Sequence, residues 1–171
     1  MKLLHTLPPA AAVLGAGCAL FAPPPLAPGQ SEAEVLAVMG RPTTGRYPMP
    51  DGVTRLEFAT GPYGRTTWMV DIGPDGRSRS FRQVLNEAHF ADFAQRAPGM
   101  SVDQLLRELG RPGDRTGGGW MGGQTWSWRY PTNDCLWFQV GIAADGKVKD
   151  AGYGNDPACE VGDLISLHKR R

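Results

Sequence analysis

At 171 residues, with 41% hydrophobic side chains, the chain is long enough to build one compact domain or two very small ones. Its 18 basic and 17 acidic residues leave a formal net charge of +1, so no bulk field favours nucleic acid or an anionic membrane, and polyanion binding is excluded as a first expectation. The 23 glycines and 15 prolines fall between patterned segments and read as turns and linkers.

The chain opens on a short basic stretch, Met1 to His5, followed by small and apolar residues from Ala10 to Cys18. This is the layout of a secretory signal, expected over residues 1–17. Broken by Pro8 and Pro9, the stretch is too short to span roughly 30 Å of hydrocarbon as a helix, and no later segment is long enough either. Leu14-Gly15-Ala16-Gly17-Cys18 resembles a bacterial lipobox, although Gly15 stands three places before the Cys, where Leu is usual. The resemblance implies lipidation at Cys18; the alternative is an ordinary signal peptide with which Cys18 is discarded. Ala19 follows in place of the Asp that marks retention at the inner membrane, so the resemblance implies an outer-membrane anchor and a periplasm-facing folded part. Residues 18–27, with Pro23-Pro24-Pro25, read as an extended tether.

From Pro28 onward the chain repeats itself. Pro28-Gly29-Gln30-Ser31 through Gly40-Arg41-Pro42 aligns with Pro98-Gly99-Met100-Ser101 through Gly110-Arg111-Pro112 at a shift of 70 (98 − 28 = 70). The shift continues without a gap through Val70/Val140, Ile72/Ile142 and Asp75-Gly76/Asp145-Gly146. Each copy predicts a short helix opened by a capping box, Ser31 with Glu34 and Ser101 with Gln104. The helix carries one apolar stripe, Val35, Leu36 and Met39 or Leu105, Leu106 and Leu109. Gly40 and Gly110 suit a left-handed C-cap, and Pro42 and Pro112 stop the helix. After a Gly-rich loop the period switches to alternation. Leu56 and Phe58, or Trp126, Trp128 and Tyr130, form a first strand. Trp68, Val70 and Ile72, or Phe138, Val140 and Ile142, form a second. The Asp-Gly pairs turn into a third strand near 77–81 and 147–153. Between the copies, Asn86 to Gln95 predicts an extra helix with Ala88, Phe90, Ala91 and Phe93 on its apolar side. The expected fold is therefore α+β, two tandem units of a helix on a three-stranded antiparallel sheet. The first unit covers 28–81, the second 82–160 with its leading helix, and a charged tail covers 161–171.

The second unit resembles the BamE/SmpA/OmlA family of outer-membrane lipoproteins. It does so through Gly99-Met100-Ser101, Leu109-Gly110-Arg111-Pro112, Trp126-Ser127-Trp128 and Asp145-Gly146-Lys147-Val148. The first unit follows more loosely, with Gln30 in place of Met and Leu56-Glu57-Phe58 in place of the aromatic pair, and the tandem layout resembles the β-lactamase inhibitor protein architecture. The resemblance implies a role in envelope or β-barrel assembly, with the departure that this chain has two units.

With Cys18 assigned to the anchor, Cys135 and Cys159 remain and are expected to pair in an exported protein. The rival reading makes Cys135 a nucleophile, but neither His89, read as a helix-surface residue, nor His168, in the tail, stands in a nucleophile motif. Ligands for a metal are too few and poorly spaced, the Asp-Gly pairs lack the further oxygens of a calcium loop, and Gly117-Gly118-Gly119 with Gly122-Gly123 is not followed by the Lys-Ser/Thr of a phosphate loop. No cofactor is expected. Trp120 and Met121 in the Gly-rich loop, with Trp137 opposite in alternation to Phe138, are candidates for an exposed protein-binding patch, with core packing as the alternative. The expected function is thus a lipoprotein that binds an envelope protein without catalysis and touches the membrane only through its anchor. The alternatives are an inhibitor or adaptor of an envelope enzyme that uses the concave face of the tandem sheets, and a small envelope hydrolase.

Overall fold

Both units begin as their capping chemistry dictates. In a computed structural model that describes residues 24–60, 65–118 and 122–159, Glu34 accepts the Ser31 N–H at 2.7 Å and Ser31 accepts the Glu34 N–H in return, opening α1 (Glu32–Met39). Gln104 and Ser101 repeat the exchange at 2.8 Å to open α3 (Val102–Leu109). Residues 1–23, with Cys18 and the expected signal, and residues 160–171, with the expected charged tail, lie outside the described residues.

Each helix leads into an antiparallel meander. The first sheet runs β1 (Gly45–Pro48), β2 (Thr54–Thr60), β3 (Thr66–Ile72) and β4 (Ser78–Gln83), in that spatial order. The second repeats it with β5 (Asp114–Gly117), β6 (Gln124–Trp128), β7 (Leu136–Ile142) and β8 (Val148–Asn155). The α+β class holds, but the sheets are four-stranded, not three-stranded. The additional strands, β1 and β5, lie in what the sequence presents as Gly-rich loop. They are four residues long and carry Gly or Pro with few apolar side chains, so no alternation announces them; backbone pairing to β2 and β6 draws them into line.

The duplication extends to single hydrogen bonds. Gly29 N–H to the Ser78 carbonyl and Gly99 N–H to the Val148 carbonyl both measure 2.8 Å, as do Gly73 N–H to Arg77 and Ala143 N–H to Lys147. A bulge breaks the β3–β4 ladder at Asp71/Ile72 and the β7–β8 ladder at Gly141/Ile142. The ungapped shift fails in one place. Gly45 pairs with Glu57 whereas Asp114 pairs with Ser127, an offset of 69 (114 − 45 = 69), so one residue is lost before β5 and regained in the Gly-rich loop before β6.

The inner face of the first sheet, with Leu56, Phe58, Val70 and Ile72, packs on Val35 and Met39 of α1. Leu26, read from the sequence as tether, joins this core and is 8% exposed. On the second sheet the cover is double. α2 (Glu87–Arg96), capped by Asn86, lays Phe90 flat on Phe138 with ring centroids 4.1 Å apart, while Leu105 and Leu109 of α3 bury against Trp126 and Trp128.

The outer face of the first sheet is not a solvent face. Arg55 and Glu57 alternate with Leu56 and Phe58, yet both are buried, because the C-terminal corner of α3 lies over them. Arg55 binds both Asp71 oxygens, at 2.6 and 2.8 Å, and donates to the Arg107 carbonyl at 2.9 Å. Glu57 accepts the Thr44 hydroxyl at 2.9 Å, the Tyr47 hydroxyl, and the Arg111 N–H at 3.3 Å. A buried carboxylate is tolerated when its lone pairs are met in this way. Burial, reinforced by the Glu57 carboxylate, pushes the Tyr47 phenol above its ordinary range. Met69, on the same face, belongs to the core of the second unit, and the Gly110 carbonyl accepts the Trp128 indole N–H at 3.2 Å. The α3 corner is therefore held by both sheets.

Candidate protein-binding site

The end of the second sheet that carries the Gly-rich loop is flanked by two hollows. Gly118 N–H closes on the Gly123 carbonyl at 2.7 Å, and a Cβ on Gly117 would stand 2.9 Å from that same carbonyl oxygen, so only glycine fits the neck of the loop. A hollow of about 480 Å³ flanks the neck on one side, lined by Gly123, Thr125, Gly141, Ala144, Lys149 and Asp150. A second of about 330 Å³ flanks it on the other, against Val102 and Trp126. Trp120 and Met121, which fall between Gly118 and Gly122 in the sequence, lie outside the described residues. The loop thus springs from a narrow base with recesses on both faces.

Trp137 is not part of an exposed patch. It is 6% exposed, and the Arg129 guanidinium lies 5.1 Å from its ring centroid, fixed there by two hydrogen bonds to Asp156. Of the two readings of this residue, burial favours core packing. Alternation placed it correctly on the face opposite Phe138; what the sequence does not reveal is that Arg129 and the turn at Asp156 fold over that face.

The same turn brings Cys135 and Cys159 to disulfide distance, with Cα atoms 5.9 Å apart. Cys135 takes a left-handed φ of 51° and its carbonyl accepts the Asp156 N–H at 2.9 Å. A residue with a Cβ pays about 1–2 kcal/mol to sit there, which the bridge and the hydrogen bond offset. Thiol labelling of the denatured, unreduced protein is expected to find neither cysteine free. Reduction is expected to lower stability by on the order of 3 kcal/mol, from the loop of about 25 residues that the bridge closes. Quantitative labelling of both residues before reduction would remove the bridge.

His89 is not the helix-surface residue the sequence suggests. It turns toward α3, with Nε2 3.2 Å from the Glu108 carbonyl and 3.8 Å from its carboxylate. Burial lowers its pKa, with Arg82 and Arg96 acting in the same direction and Glu108 opposing. Because the unfolded imidazole takes up protons near pH 6.5 and the folded one only below that, stability is expected to decline as pH falls through about 6.5. Thermal midpoints compared at pH 7.5 and 5.5 test this: His89→Gln should shrink the difference, and an undiminished difference would assign the titration elsewhere.

The junction residues Arg55, Glu57 and Asp71 escape a reading from sequence, since alternation alone assigns them to solvent. The one signal available is that their counterparts, Thr125, Ser127 and Gly141, are small and uncharged. Among the described residues no helix is long and apolar enough to cross a membrane, and no group of three or more His, Cys, Asp or Glu side chains is arranged to hold a metal ion. Comparison of the chain with family models, curated proteins and solved structures finds no match.

Proposed function

We propose that this chain is a lipid-anchored, periplasm-facing outer-membrane protein of the BamE/SmpA/OmlA kind, which works as a non-catalytic binding or scaffold module in envelope or β-barrel assembly. The observation that carries the reading is the narrow glycine neck with recesses on both faces, which in sequence flanks Trp120 and Met121. Trp is over-represented among the anchors that dominate interface energies, and a large apolar side chain beside an open recess is suited to that role. The junction supports the scaffold part of the reading, since a corner held by two sheets keeps the units in one geometry.

Replacing both Trp120 and Met121 by Ala should leave the thermal midpoint within a few degrees, as surface changes do, while recovery of the envelope partner in a crosslinking pull-down falls. Unchanged recovery by a folded variant would place the interface elsewhere. The anchor is tested separately: Cys18→Ser should release the protein from the membrane pellet, and retention with unchanged mobility would sink the lipoprotein assignment.

A further inference from the structure

We infer that the inner face of the first sheet docks an amphipathic helix of another protein, one that carries two aromatic residues three positions apart. The argument comes from the repeat itself. In the second unit α2 covers the far side of the inner face: Phe90 stacks on Phe138 at 4.1 Å and meets Tyr130 and Tyr153 edge-on at 5.3 and 6.2 Å, while Phe93 meets Phe138 at 6.0 Å. Phe138 is 0% exposed as a result.

The first unit has the same floor, covered by α1 and Leu26 but, among the described residues, by no counterpart of α2. The counterparts of Phe138 and Ala151 are Trp68 and Phe81 (138 − 70 = 68; 151 − 70 = 81), placed across the β3–β4 ladder as their equivalents are across β7–β8. Both are only partly buried. The counterpart of α2 would span 17–26 (87 − 70 = 17; 96 − 70 = 26), and there Pro23, Pro24 and Pro25 remove three consecutive backbone donors, which a helix interior does not tolerate. Of the described part, residues 24–27 are non-helical, and only Leu26 reaches the core. A second observation marks the same spot. Gln83, paired with Trp68, has a buried Oε1 with no donor among the described residues. This is the register position of Tyr153, which α2 meets in the second unit. A helix laid as α2 is laid would bring its aromatic pair onto Trp68 and Phe81 and a polar donor to Gln83. This site is on the first unit, so it stands or falls independently of the loop at Trp120.

The test uses the purified full chain and, as probe, a fluorescein-labelled peptide of the sequence Asn86 to Ala97. Saturable binding in the sub-millimolar range is expected. Binding should be lost when both phenylalanines of the peptide are Ala, and weakened at least tenfold by Trp68→Ala. The double variant Trp68→Phe, Phe81→Ala, which reproduces the lining of the second unit, should bind at least as tightly as the unaltered chain. Circular dichroism confirms folding, and Phe81→Lys serves should Trp68→Ala fail to fold. Lack of saturation at 1 mM peptide, or binding by the folded Trp68→Ala or Phe81→Lys variant equal to that of the unaltered chain, would overturn the proposal. So would a photoreactive residue at position 81 that crosslinks to residues 1–23 or to a second copy, or phosphatidylglycerol vesicles that bind through Trp68 and displace the peptide.

Discussion

Gly110→Ala is expected to lower stability by about 3–4 kcal/mol, whereas Gly40→Ala, at the same place in the first unit, should cost about 1 kcal/mol. The two glycines end equivalent helices but do not sit alike. Gly40 is left-handed, φ 61° and ψ 21°, and a Cβ there meets nothing within 4 Å. Gly110 has φ 75° and ψ −167°, a region essentially closed to other residues, and a Cβ would stand 2.9 Å from the Glu57 carboxyl carbon and 3.0 Å from the Thr67 methyl. Neither neighbour yields cheaply, since Glu57 is tied to Thr44, Tyr47 and Arg111. The added methyl therefore wedges the α3 corner away from the first sheet. Denaturant titration of both variants gives the comparison, and in heat the Gly110 variant should melt roughly 10 °C lower. Equal losses would show that the corner is not held against the first sheet.

Phe138→Ala should cost about 3–5 kcal/mol, and Trp68→Ala, its counterpart, no more than about 2. Phe138 is enclosed by Phe90, Phe93 and Tyr153, with centroid separations of 4.1, 6.0 and 5.5 Å, so truncation leaves a cavity among rings already packed on one another. Trp68 is only partly buried, and its truncation removes contact area without enclosing a void. Global unfolding free energies measured on the two single variants decide the matter. A loss at Trp68 equal to that at Phe138 would mean that the first sheet is covered as fully as the second.

The repeat, the capping boxes, the linker helix and the inward set of each main strand are all legible in the sequence, because each rests on a local pattern of side chains. Three things are not. β1 and β5 form because a neighbouring strand offers backbone partners, which leaves no mark on their own residues. Arg55 and Glu57 look like a solvent face because alternation reports two faces and cannot report that both are covered. Trp137 is placed on the right face by its period, yet its burial depends on Arg129 and Asp156, brought over it by a turn whose φ of 51° at Cys135 no propensity foretells. His89 fails for the same reason: a helix period says which way a side chain points but not what arrives to meet it.

The contacts at the α3 corner also set an order of events during synthesis. Arg55 waits for the Arg107 carbonyl, 52 residues downstream, and Glu57 for the Arg111 N–H, 54 downstream. A chain emerging from its N-terminus completes the first sheet while two of its strands still show a charged side and Met69 to water. The second unit has no such debt, since α2 and α3 precede the sheet they cover. A ribosome stalled before residue 107 would hold a nascent first unit that is still open on one side, with Met69 uncovered until the Gly110 turn arrives.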